Sequence, residues 1–159
     1  MEVVFETEFR RLEDALRRLR QDANAKAVFL IDKNGQHIAA AGETEEFDST
    51  SLASLTAGNV AATDGLAKLI GEREFSVLFH EGQRDHIHIS IVARRAILLV
   101  IFDERSSLGL VRLRVKRASV ELKKVFDEMD AKALPEEGVS EPSPFSEITD
   151  EDIDALFSE

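Results

Sequence analysis

The chain contains no cysteine. That absence removes a disulfide framework, a thiolate metal site and a cysteine nucleophile, and it suits a reducing compartment. Long apolar runs are lacking at the start, where MEVVFETEFRRLEDALRR places a charge every few residues, so neither a secretory signal nor a spanning helix is expected. Positive charge is in deficit: 20 Lys and Arg stand against 31 Asp and Glu, a formal net charge of -11. Such a surface is not built to neutralise phosphates or anionic lipid, so neither nucleic acid nor membrane is an expected partner. Together these features read as a soluble intracellular protein. Nucleotide and nucleophile signatures are missing too, since neither G-x-G-x-x-G, nor G-x-x-x-x-G-K-[ST], nor G-x-S-x-G occurs.

What is present divides unevenly. A length of 159 residues allows one domain with a tail. Residues 131–159 hold nine acids and one Lys, net -8, and all three prolines, Pro135, Pro142 and Pro144. A segment so polar has little to bury against its ordering entropy. The reading is therefore a domain over 1–134 and an acidic, flexible Pro/Ser-containing tail over 135–159.

Hydrophobic period assigns the elements of the domain. Phe5, Phe9, Leu12, Leu16 and Leu19 form one stripe of a first helix. Ala27 to Ile31 and Gln36 to Ala41 read as a hairpin around Asp32-Lys33-Asn34-Gly35. Asp48 or Ser49 can cap a long helix to about Ile70, stopped by Gly71. Leu52, Leu55, Leu66 and Leu69 are expected to give this helix its core face. A row of small residues, Ala53, Ala57, Ala61 and Gly65, is expected on the other side, where another backbone can approach closely. Three strands follow: Phe75 to Phe79, His86 to Val92 and Ile97 to Phe102, the last apolar throughout and expected to be central. Ser106 or Ser107 then caps a last helix with Leu108, Val111, Val115, Ala118, Leu122, Val125 and Met129 inside. The order is α-β-β-α-β-β-β-α.

Reactive constellations are weak. His86 and His88 share a strand face, but without a third ligand they read as strand-surface histidines, and no metal site is expected. Asp103 and Glu104 at a strand end read as a solvated turn. An enzyme is therefore not expected, nor a cofactor. Binding features remain. Arg112, Arg114, Lys116, Arg117, Lys123 and Lys124 cluster on the last helix, either as a solvated face or as a dock for an acidic partner or the acidic tail. The closing PFSEITDEDIDALFSE can form a short helix with Ile148, Ile153, Leu156 and Phe157 on one edge, a segment suited to folding on a partner.

The element order, SLASLTAGNVAA on the second helix and VIFDERSSLGLVRLRVKRAS before and within the last one resemble the Roadblock/dynein light chain domains. DANAKAVFLIDKNGQ and the closing DIDALF resemble the branch that acts on a small Ras-like GTPase. The resemblance covers residues 5 to 127 as a domain and 145 to 158 as a tail motif. It implies an α/β (α+β) fold whose five-stranded antiparallel sheet carries the first and last helices on one face and the second on the other. It also implies a homodimer with a continuous ten-stranded sheet, two chains holding one GTPase. Hydrolysis would be stimulated by pressing the GTPase's switch loops into order, without an arginine finger from the activator. Ala57, Ala61 and Gly65 are then candidates for the GTPase-binding platform, Ala53, Leu55 and Asn59 for the homodimer face, and Ile148, Ile153, Leu156 and Phe157 for the tail contact. The implied setting is bacterial polarity and motility, in the cytoplasm at a cell pole. A Roadblock scaffold that tethers partners without affecting hydrolysis is the alternative.

Overall fold

The computed structural model describes residues 5–133. The element order is α1 (Glu6–Asp22), β1 (Ala27–Asp32), β2 (His37–Gly42), a short 3-10 turn (Thr44–Glu46), α2 (Ser49–Leu69), β3 (Val77–Glu81), β4 (His86–Val92), β5 (Ala96–Phe102) and α3 (Leu108–Ala133). A first compact unit ends at Met129, and of the second, residues 130–159, only the helical residues up to Ala133 are described. The expected tail helix with Ile148, Ile153, Leu156 and Phe157 lies outside the described residues.

Five antiparallel strands make one sheet in the order β2-β1-β5-β4-β3. β5 is central and buried along its whole length, which is why AILLVIF can be apolar on both faces. One face of the sheet carries α1 and α3. Leu12, Leu16 and Leu19 of α1 and Val111, Val115, Leu122 and Val125 of α3 close over Val28, Leu30, Leu98 and Val100. Fully burying each such side chain contributes about 1.5–3 kcal/mol. The opposite face carries α2, over Phe29, Ile31, Ile89, Leu99 and Ile101. The two helices on the first face are also tied by ion pairs from Arg11 to Glu128 and from Arg18 to Glu121. Both are exposed, so each adds only about 0.2–1 kcal/mol.

Local chemistry ends the helices where the sequence demands. Asp48 caps α2 by accepting from the Ser51 amide at 3.2 Å and the Ser51 hydroxyl at 2.8 Å. At its other end Gly71 adopts φ +84°, and the Glu72 amide returns to the Ala67 carbonyl at 2.8 Å. That left-handed closure is open to glycine at little cost. Asn24, φ 52°, plays the same part after α1, and its side chain donates to the Arg105 carbonyl. Ser107 caps α3 by accepting from the Leu110 amide at 3.2 Å.

Three expectations need correction. The third strand begins at Val77, two residues beyond Phe75, because β3 pairs with β4 only from Val77 opposite Ser90. His88 is not a surface residue: it is 1% exposed, on the α1/α3 side of β4. The core face of α2 is the third. Leu55, Leu66 and Leu69 are 74%, 59% and 83% exposed, while Ala53, Thr56, Val60 and Ala67 are buried; Leu52 alone of the four leucines packs against the core. Small side chains draw the helix close to the sheet, and its bulky aliphatic side chains are left outside.

Candidate protein-docking surface

The small-residue row of α2 does not run along one side of the helix. Residues four apart advance about 400° around a helix of 3.6 residues per turn, so a row at that spacing drifts about 40° at each step. Ala53 faces the sheet at 1% exposed, Ala57 is half-buried, and Ala61 and Gly65 face outward. Ala53 is thus sealed inside its own chain, which removes it from the expected homodimer face. Ala57 packs partly against the core under α2 and lies beside the β1/β2 turn, where a Cβ on Gly35 would stand 3.6 Å from the Ala57 Cβ. At Gly65 an added Cβ would meet nothing within 4 Å. The outer part of the row, Ala61 and Gly65, is exposed.

A second exposed strip of α2 is apolar. Leu55, Leu66, Leu69 and Ile70 are all more exposed than buried, and Ile70, at the C-cap, is 68% exposed. Asn59 stands between them in sequence, its side-chain amide 3.2 Å from His80 Nε2 on β3. β3 is an edge strand, and its Val77 is 46% exposed. Large aliphatic side chains beside an open strand edge form a surface that water covers at a cost and that another protein surface can cover with gain. Leu55 and Asn59 therefore share a neighbourhood that Leu66, Leu69 and Ile70 extend, whereas Val77, alternating with Leu78, turns toward the α1/α3 side of the edge strand. Sequence reasoning missed Leu66 and Leu69 by placing them in the core, and read Ile70 only as the end of the helix. A signal was available: Ala53, Val60 and Ala67 recur every seven residues and mark the buried face.

Asp103 accepts from Arg105, which also reaches Glu43 at 3.0 Å, and this guanidinium holds the Asp103 carboxyl below the usual carboxylate range. Burial, with a smaller contribution from Arg112, pushes the His88 imidazole down, so it is neutral at physiological pH. Among the described residues no group of three His, Asp or Glu can hold a metal ion, and no helix is long and apolar enough to cross a membrane. What the surface offers is shape, apolar area and open backbone.

An antiparallel five-stranded sheet with α1 and α3 behind it and α2 in front is the architecture of a Roadblock/LC7 domain, and that family matches residues 11–102. The chain belongs to the Roadblock/LC7 family. Within it the likeness is to MglB. The structure of Myxococcus xanthus MglB is 61% identical, covers 76% of this chain and 98% of that one, and superposes with a TM-score of 0.74. The gliding protein MglB from Thermus thermophilus is 34% identical over 76% of this chain and 92% of that one, with a TM-score of 0.71. An MglB with a tetrameric arrangement is 33% identical over 76% and 91%, with a TM-score of 0.70. No curated protein matches the chain in sequence.

Proposed function

We propose that this protein is a homodimeric activator of a small Ras-like GTPase of the MglA kind, in bacterial cell polarity and motility, acting in the cytoplasm at a cell pole. The observation that carries the proposal is the two-part outer surface of α2: an apolar strip that a second copy can cover, and beside it the exposed Ala61 and the open backbone of Gly65. The likeness to MglB structures supports the assignment. In this reading Leu55, Asn59 and the β3 edge join two chains, and the paired α2 helices present Ala61 and Gly65, with Ala57 at the margin, to one GTPase. A switch loop approaching bare backbone is ordered without steric conflict, and ordering it supplies the positioning on which phosphoryl transfer depends. The protein is then not itself an enzyme. Nucleotide and Mg²⁺ belong to the partner.

GTP turnover by the cognate GTPase, measured with and without this chain, tests the proposal. Stimulated turnover that saturates at two chains per GTPase is the expected result. Binding without stimulation would favour a scaffold that tethers partners. Gly65→Arg and Ala61→Arg should each abolish GTPase binding while the dimer stays folded, because both positions are exposed and a Cβ at Gly65 meets nothing within 4 Å. If the dimer dissociates instead, these residues belong to the homodimer seam.

A further inference from the structure

The outer face of α3 lies across the sheet from α2 and has no part in the surface described above. Leu113, Arg117, Val120 and Lys124 step by four, three and four along it, so they form one strip on the side turned from the core. Leu113 is 56% and Val120 73% exposed. Lys116 and Arg112 flank the strip. None of Arg112, Lys116, Arg117 and Lys124 forms an ion pair among the described residues, whereas Lys123 is held by Asp127 at 3.0 Å.

Beside the strip, α1 and α3 part to leave a cleft of about 170 Å³ lined by Arg18, Asp22, Arg114, Arg117 and Glu121. Arg18 is engaged with Glu121, but Arg114 Nε is buried with no hydrogen-bond partner among the described residues. A buried guanidinium nitrogen without an acceptor is costly, and a carboxylate entering the cleft from outside supplies one. In a chain of net charge -11, a cationic strip that no acid among the described residues pairs with stands out.

We propose that the outer face of α3 and the adjoining α1/α3 cleft dock an acidic amphipathic helix of a partner protein. Its apolar side chains would cover Leu113 and Val120, its flanking acids would meet Lys116 and Lys124, and one carboxylate would reach Arg114 and Arg117. Charge complementarity selects this occupant over a bilayer or a duplex, because the strip is only a few turns long and the remainder of the chain is strongly acidic and repels both. The face is opposite α2, so such a partner and the partner of α2 can be held together.

The test uses the full chain and a fluorescein-labelled helical peptide with a Leu seam and Glu on both flanks, followed by anisotropy. Saturable binding is expected, falling by about tenfold or more in Arg117→Glu with Lys124→Glu, and several-fold in Leu113→Ser with Val120→Ser. Lys33→Glu, a charge reversal elsewhere on the surface, should leave it unchanged, and backbone amides of residues 113–124 should gain protection from hydrogen exchange. The proposal is overturned if the peptide does not bind or the reversals leave binding intact. It is equally overturned if anionic phospholipid vesicles or duplex DNA are preferred, if the reversals change the oligomeric mass, or if a peptide of residues 135–159 displaces the probe.

Discussion

Ala93 and Arg94 turn the chain between β4 and β5 with φ of 55° and 60°, and the Arg95 amide closes the turn on the Val92 carbonyl at 3.2 Å. Two consecutive left-handed residues are what a tight hairpin with right-handed strand twist requires, and neither Ala nor Arg adopts them easily. Replacing the pair by Asn-Gly should raise stability by about 0.5–1 kcal/mol, read as an increase in thermal midpoint. Titration matters one strand-length away. His88 is neutral in the fold because burial, and then Arg112, lowers its pKa from the ordinary 6.5. The unfolded chain takes up the proton first, so the contribution of neutral His88 is complete above about pH 6.5 and is lost as pH falls from there through the lower folded value. Denaturation measured between about pH 7 and 5 should therefore show a flatter stability curve for His88→Phe than for the wild-type chain.

At the scale of elements, α1, the first hairpin, β5 and α3 were legible because each buries an apolar stripe or run against a neighbour, and periodicity records that directly. The hairpin needed only Asp32 to Gly35, and the cap of α2 only Asp48. The orientation of α2 was not legible from its leucines. Leucine is normally an inside residue, and a rule that buries it turns this helix the wrong way round. Burial on α2 is carried instead by Ala53, Thr56, Val60 and Ala67. The two kinds of position should respond oppositely. Ala53→Leu should cost about 1–3 kcal/mol by forcing α2 away from Phe29 and Leu99, seen as a lowered midpoint in urea. Leu55→Ser combined with Leu66→Ser removes no core contact, so each chain should stay folded while, for the proposed homodimer, sedimentation shifts from twice the chain mass toward the single chain. A double variant that unfolds would mean those side chains stabilise the monomer after all. Part of the candidate site was likewise readable: Ala61 and Gly65 stand out as open positions from side-chain size alone, whereas Ile70 joins the exposed strip only through the tertiary fold.

Over the whole molecule, three layers separate two outward surfaces. α2 with the β3 edge is apolar and small-residued, and α3 is basic, while the sheet between them is a close-packed interior. Acidity concentrates beyond the domain, in residues 131–159 with their net charge of -8. If that segment reaches the GTPase, its acids and the apolar Ile148, Ile153, Leu156 and Phe157 contribute to affinity in different ways. The apolar groups act at contact, and the charges act over about 8–10 Å at ordinary ionic strength. Removing everything after Leu134 takes away none of the α2 surface, so the proposed dimer and the proposed platform contact should persist. The complex should weaken without vanishing, and its dissociation constant should respond less to added salt, because the charge-dependent share of the binding energy has been deleted. Titrating the truncated and full-length chains against the GTPase at low and high salt checks this. Equal affinities and equal salt slopes would assign the acidic segment to some other partner, and would leave the α2 surface as the whole of the GTPase contact.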